Sequence, residues 1–97
     1  MNYSENELID KLLGGDELVF NSVFKQYYSL MYSIASSISG SSIADEIIQE
    51  AWMSALKALN KFERRSSLKS WLMRIVANEA KTRLRKESRN VSLESMQ

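Results

Sequence analysis

The sequence predicts an all-α fold, a compact bundle of about four helices, and three observations lead there. There is no proline and there are only three glycines in 97 residues, so little interrupts long helices. Apolar residues recur at i, i+3, i+4 and i+7 in several stretches. Small polar residues stand just ahead of those stretches, where helix N-caps belong. A chain of this length holds one small domain with a modest core.

The first helix is expected over about 5–13, with Ser4 and Glu7 spaced as a capping box and Gly14-Gly15 as its stop. Its apolar residues are Leu8, Ile9, Leu12 and Leu13. The second is expected over about 17–38 behind Asp16 as N-cap. Phe20, Val23, Phe24, Tyr27, Leu30, Met31, Ile34 and Ile38 form its buried stripe, and Gly40 ends it. The third is expected over about 43–59, with Ser42 and Asp45 as a second capping pattern. Ile43, Ile47, Ile48, Ala51, Ala55, Leu56 and Leu59 make its apolar side, opposite Asp45, Glu46, Gln49, Glu50 and Met53. A polar connection, Asn60 to Ser67, leads to a fourth helix over about 68–87, capped by Ser66 or Ser67. The tail from Asn90 to Gln97 has no pattern and is expected to fray. No domain boundary is visible before residue 90, so residues 1–90 are read as one domain and 91–97 as the start of a linker.

Composition narrows the chemistry. Cysteine and histidine are both absent, which removes Cys nucleophiles, His acid–base catalysis and His/Cys metal sites. An enzyme would have to run on carboxylates, Lys, Ser or Tyr, so the expectation is a non-enzyme with no cofactor and no metal. No stretch approaches the roughly 20 apolar residues of a membrane span, so no membrane insertion is expected. The start, Met1 to Glu5, is polar and acidic, unlike a signal peptide. The lack of cysteine fits a reducing compartment.

The net charge of +1 hides an asymmetry. Residues 60–90 hold ten Lys/Arg and three Glu, a net of +7, while residues 1–59 hold three Lys and eight Asp/Glu, a net of −5. Much of the basic half is organised as a stripe. Trp71, Arg74, Asn78, Lys81 and Arg85 fall within an arc of roughly 80° on an ideal helix. Leu68, Leu72, Ile75 and Val76 fall opposite. Arg and Lys suit phosphates, Asn suits a base edge and Trp suits a stacked base. The loop cations Lys61, Arg64, Arg65 and Lys69 extend the stripe. Free N–H groups at the helix start attract anions, and a loop there can hold an extruded base.

Each feature has a plainer reading. The stripe can be a solvated face, with Glu79 pairing to Arg83 one turn away, or a surface for an acidic partner. Trp71 can be a core-edge residue. Asp45, Glu46, Gln49 and Glu50 look solvent-facing and without an obvious partner, which favours a protein-binding face over catalysis. The rival reading of the whole chain is a helical protein-interaction module with a basic surface and no specific DNA role.

The run Ala44-Asp45-Glu46-Ile47-Ile48-Gln49-Glu50-Ala51-Trp52, then Ala55 to Leu59 and Phe62, then Leu68-Lys69-Ser70-Trp71-Leu72-Met73-Arg74-Ile75-Val76-Ala77-Asn78, resembles region two of bacterial RNA polymerase sigma factors. The nearest group is the extracytoplasmic-function (ECF) sigma factors, whose opening helix Phe20, Phe24, Lys25, Tyr27 and Tyr28 also resemble. The resemblance covers about residues 7–87. It implies a cytoplasmic transcription-initiation domain. The third helix would dock on the clamp helices of the largest subunits of core RNA polymerase, through Glu46, Gln49 and Glu50 with Asp45 and Met53 flanking. The loop and fourth helix would recognise and open the promoter minus-ten element and flip one base of the non-template single strand into a loop pocket. That work falls on Lys61 to Ser67, Ser66 included, with Lys69, and on Trp71, Arg74, Asn78, Lys81, Thr82 and Arg85. Asn78 is assigned a base contact, and Arg74, Lys81 and Arg85 phosphates. An anti-sigma factor is a further partner the group implies.

The match has two departures and one missing part. Glu63-Arg64-Arg65 stands where ECF members commonly have Arg-Gly-Asp after the loop Phe, which leaves open the backbone path of the pocket and the identity of the flipped base. Housekeeping members have two adjacent tryptophans where this chain has Trp71-Leu72, which implies weaker melting and stricter promoter dependence. The family's helix-turn-helix domain has no counterpart here, which suggests a domain of a longer protein.

Overall fold

The computed structural model describes the backbone of residues 3–95 and the side chains of residues 3–87. Four helices carry the fold: α1 (Glu5–Leu13), α2 (Glu17–Ser39), α3 (Ala44–Ala58) and α4 (Leu68–Ser95). Short 3-10 turns at Ser41–Ile43 and Leu59–Lys61 flank α3. No strand occurs among the described residues.

The starts of α1 and α2 follow their capping residues. The Glu7 N–H donates to Ser4 Oγ at 3.2 Å, while the Ser4 N–H donates to Glu7 Oε1 at 3.3 Å, closing the capping box. The Val19 N–H donates to Asp16 Oδ1 at 3.1 Å. α2 stops at Gly40, whose φ of +91° lies in the region open to glycine.

The start of α3 departs from expectation. Ser42 caps nothing. Gly40 leads into a 3-10 turn that closes with the Ala44 N–H on the Ser41 carbonyl, and Ile43 stands at the cap position without a side-chain bond. At the other end a second 3-10 turn carries the chain to Phe62. α4 runs past the expected 87 to Ser95, because no glycine or proline interrupts that stretch. The expected linker over 91–97 therefore begins inside helix, and its residues 96 and 97 lie outside those described.

α4 packs against both α2 and α3, and α1 against α2. Met31, Ala35, Ile47, Ala51, Val76 and Ala80 are fully shielded where the three longer helices meet. The alanines let the helices approach closely, and Ser39 Oγ adds a 2.6 Å hydrogen bond to the Ala80 carbonyl. Two positions of the expected core, Leu13 and Leu30, are exposed, and Ile75 is half-buried, as are Leu8, Phe20, Phe24, Tyr27, Ile34, Ile38, Ile43 and Leu56 at the rim of the core. Ala80 takes the next inward position on α4 instead.

Candidate nucleic-acid interface

The inward row of α4 is Leu68, Leu72, Val76 and Ala80, all buried. That anchor fixes what the helix shows to solvent: Arg74, Asn78, Lys81 and Arg85 are exposed on the far side, with Trp71 half-buried at the border. Among the described residues no carboxylate pairs with Lys61, Lys69, Arg74, Lys81 or Arg85. The stripe is therefore a row of uncompensated cations with an amide in its middle. Thr82 lies on its edge, and its hydroxyl donates back to the Asn78 carbonyl at 2.9 Å.

The loop ahead of α4 builds a concavity against this face. Phe62 stacks on Trp71, with ring centroids 4.7 Å apart and planes inclined by 26°. Together with Lys61, Glu63, Arg65, Ser66 and Arg74, the two rings line a hollow of about 410 Å³. Arg65 is held loosely by Glu63 at 3.0 Å, and both side chains are largely in solvent. Such a pair is easily broken. Ser67, not Ser66, caps α4: the Ser70 N–H donates to its Oγ at 3.0 Å.

Two expectations about the loop change. Arg64 does not face the stripe. Its guanidinium turns back to α1, donating to Asn6 Oδ1 at 2.9 Å and pairing with Asp10 at 2.8 Å, while the neighbouring Glu63 pairs with Arg65. The start of α4 is not an open anion site either. The Leu68 N–H already donates to the Glu5 carboxylate at 3.0 Å, and Ser67 takes the Ser70 N–H. Arg64 has a φ of +60°, a left-handed conformation that costs a non-glycine residue about 1–2 kcal/mol. It occupies the middle position of the Glu63-Arg64-Arg65 triplet, where the ECF pattern carries glycine. The backbone thus keeps a glycine-like turn with an arginine in it.

The acidic face of α3 is partly engaged. Arg83 of α4 reaches Glu46 at 2.7 Å and Glu50 at 3.7 Å, so it bridges to α3 rather than pairing with Glu79 on its own helix. Glu79 is left beside Glu50; a shared hydrogen bond, then burial and the Glu50 charge, push its carboxyl above the usual 4.5. Asp45 accepts a hydrogen bond from the Tyr28 hydroxyl. Gln49 and Met53 remain exposed and border an apolar groove of about 340 Å³ with Phe20, Asn21, Phe24 and Trp52. Met53 is 58% exposed and extends the apolar lining of this groove to the surface.

Sequence reasoning missed Glu5, Asn6 and Asp10 as partners of the loop, and Arg83 as partner of α3. The contacts join residues 37 to 63 positions apart, and no local pattern encodes them.

A basic helix face thus lies beside a loop-built hollow on a four-helix domain, a surface with the charge and shape of a nucleic-acid site. The family model for Sigma-70 region 2 matches residues 23–90. The chain belongs to the Sigma-70 region 2 family, in its ECF branch. It is 32% identical over 84 residues to the ECF RNA polymerase sigma factor SigM of Mycobacterium tuberculosis, covering 86% of this chain and 43% of that protein. It is 30% identical over 81 residues to the ECF RNA polymerase sigma-E factor of Escherichia coli, covering 84% and 42%. The chain thus spans less than half the length of these relatives. An engineered region 2 of sigmaE, solved by NMR in complex with GTAAAA, superimposes with a TM-score of 0.81 at 28% identity, covering 93% of this chain and 97% of that one.

Proposed function

We propose that this chain is a non-enzymatic transcription-initiation domain that binds the non-template single strand of a promoter minus-ten element. The observation that carries the reading is the α4 face: among the described residues Arg74, Lys81 and Arg85 stand without acid partners around Asn78, next to the hollow lined by Phe62 and Trp71. Cations on this face neutralise phosphates, Asn78 meets a base edge, and the hollow receives one flipped base between Lys61, Arg65, Ser66 and Trp71. The related sigmaE region 2 was solved in complex with GTAAAA, which supports the reading. Core RNA polymerase is the second partner. The groove beside Gln49 and Met53 supports that assignment, flanked by Asp45, Glu46 and Glu50.

Selection of bound single strands from a random pool tests the DNA reading. The proposal expects enrichment of one short A-rich consensus, with selection strongest at a single position that fills the hollow. A pool that emerges without sequence bias overturns specific recognition and leaves the rival, a basic protein-interaction module.

A further inference from the structure

Three contacts from α1 reach the recognition loop and the first residue of α4. Asn6 and Asp10, one helical turn apart, both hold the Arg64 guanidinium, at 2.9 and 2.8 Å. Glu5 accepts from the Leu68 N–H at 3.0 Å, at the first residue of α4. The two grips bracket the stretch from Arg64 to Leu68, which contains the hollow-lining residues Arg65 and Ser66. Between them the backbone passes through the left-handed turn at Arg64. A residue in that conformation persists only when its surroundings hold it there, and the Arg64 side chain supplies the hold. These three α1 residues precede the 23–90 span matched by the family model.

We infer that α1 is a brace that sets the shape of the base-receiving loop, with Glu5, Asn6, Asp10 and Arg64 as positioning residues for DNA recognition. The inference rests on the DNA-binding reading above. Arg64 spends its charge on α1 and makes no phosphate contact. The brace pre-forms the hollow, so that less ordering cost falls on binding.

The brace makes an unusual prediction about sign. Asp10 is an exposed carboxylate close to a surface that binds a polyanion, so simple electrostatics expects Asp10→Ala to tighten DNA binding. A brace expects the reverse. Affinity of the chain for its selected single strand is measured over a salt series for wild type, Asp10→Ala, Arg64→Ala and the double variant, with thermal melting to confirm folding. Each single variant should weaken binding by about threefold to fivefold, as befits a partly exposed ion pair. The double variant should be no weaker than either single one, and the salt slope should stay at the wild-type value. Tighter binding by Asp10→Ala, or a slope reduced by about 0.7 in Arg64→Ala, overturns the brace and makes Arg64 a phosphate contact.

Amide exchange at Leu68 of the free protein, whose N–H donates to Glu5, separates failure of the brace from failure of the DNA reading. The brace requires faster exchange of that amide in Asp10→Ala; unchanged exchange overturns it. A wild-type chain that binds no strand at low salt overturns the DNA reading, while exchange still decides whether α1 holds the loop.

Discussion

Phe62 lies stacked on Trp71, centroids 4.7 Å apart, so one face of the indole is already covered by a ring from the loop. Both rings line the hollow, and loop and helix are coupled through that stack. Stacked aromatic pairs contribute about 0.5–1.5 kcal/mol beyond the area they bury. Phe62→Ala should lower the stability by about 1–2 kcal/mol in urea denaturation. It should weaken single-strand binding more than its stability loss explains, because the hollow loses a lining ring. Phe62→Tyr, which keeps the ring, should restore both. A Phe62→Ala chain that binds as wild type would mean the hollow receives nothing.

Arg64 pairs a left-handed backbone with a useful side chain, and two substitutions separate them. Arg64→Gly removes the guanidinium and also relieves the strain; Arg64→Ala removes the guanidinium alone. The glycine variant should be more stable than the alanine variant by about 1 kcal/mol, the cost of a Cβ at that φ. Thermal or urea unfolding of the pair reads the difference directly. Equal stabilities would show that the loop does not hold the +60° turn in solution.

Glu79 gives the pH dependence. Its neighbour Glu50 and its burial raise its carboxyl above 4.5, so the folded state binds this proton more tightly than the unfolded chain does. Stability from this group is present below the unfolded value and is lost as pH rises through the folded one. Glu79→Gln should therefore raise the melting temperature at pH 7, and its advantage should shrink towards pH 4. An advantage that grows on acidification would contradict the placement of Glu79 beside Glu50.

Much of the fold was readable because its signals are local. Ser4 with Glu7, and Asp16, cap helices three residues away, and the α4 row of Leu68, Leu72 and Val76 repeats at helical spacing and is buried. The stripe was readable for the same reason, since burying one face of a helix dictates the other. The partners of the charges were not. Arg64 and Arg83 each had nearby acids in sequence, Glu63 and Glu79, yet chose Asp10, 54 residues away, and Glu46, 37 residues away. Which acid a long cation reaches depends on how helices cross, and one helix's periodicity holds no record of that. The Ser42–Asp45 pattern failed because Gly40 led the chain into a 3-10 turn first.

The groove beside α3 carries the polymerase prediction. Gln49 and Met53 are exposed and make none of the ion pairs that tie Glu46 and Glu50 to Arg83. Gln49→Ala with Met53→Ala should therefore leave the melting temperature within about 2 °C while weakening binding to core RNA polymerase about tenfold or more. Fluorescence anisotropy of a labelled chain titrated with core polymerase checks it. Unchanged affinity would move the polymerase contact elsewhere on the domain.

In the proposed function the exposed face of α4 reads single-stranded DNA, with cations for phosphates and Asn78 for a base. The most direct measurement is affinity for the selected strand and for a scrambled strand, over a salt series, in wild type, Lys81→Ala and Asn78→Ala. Lys81→Ala should weaken binding to both strands equally and reduce the salt slope by about 0.7. Asn78→Ala should keep the wild-type slope and lose about tenfold of the preference between the strands. A wild-type slope near zero, or a preference untouched by Asn78→Ala, would contradict this assignment of the α4 face.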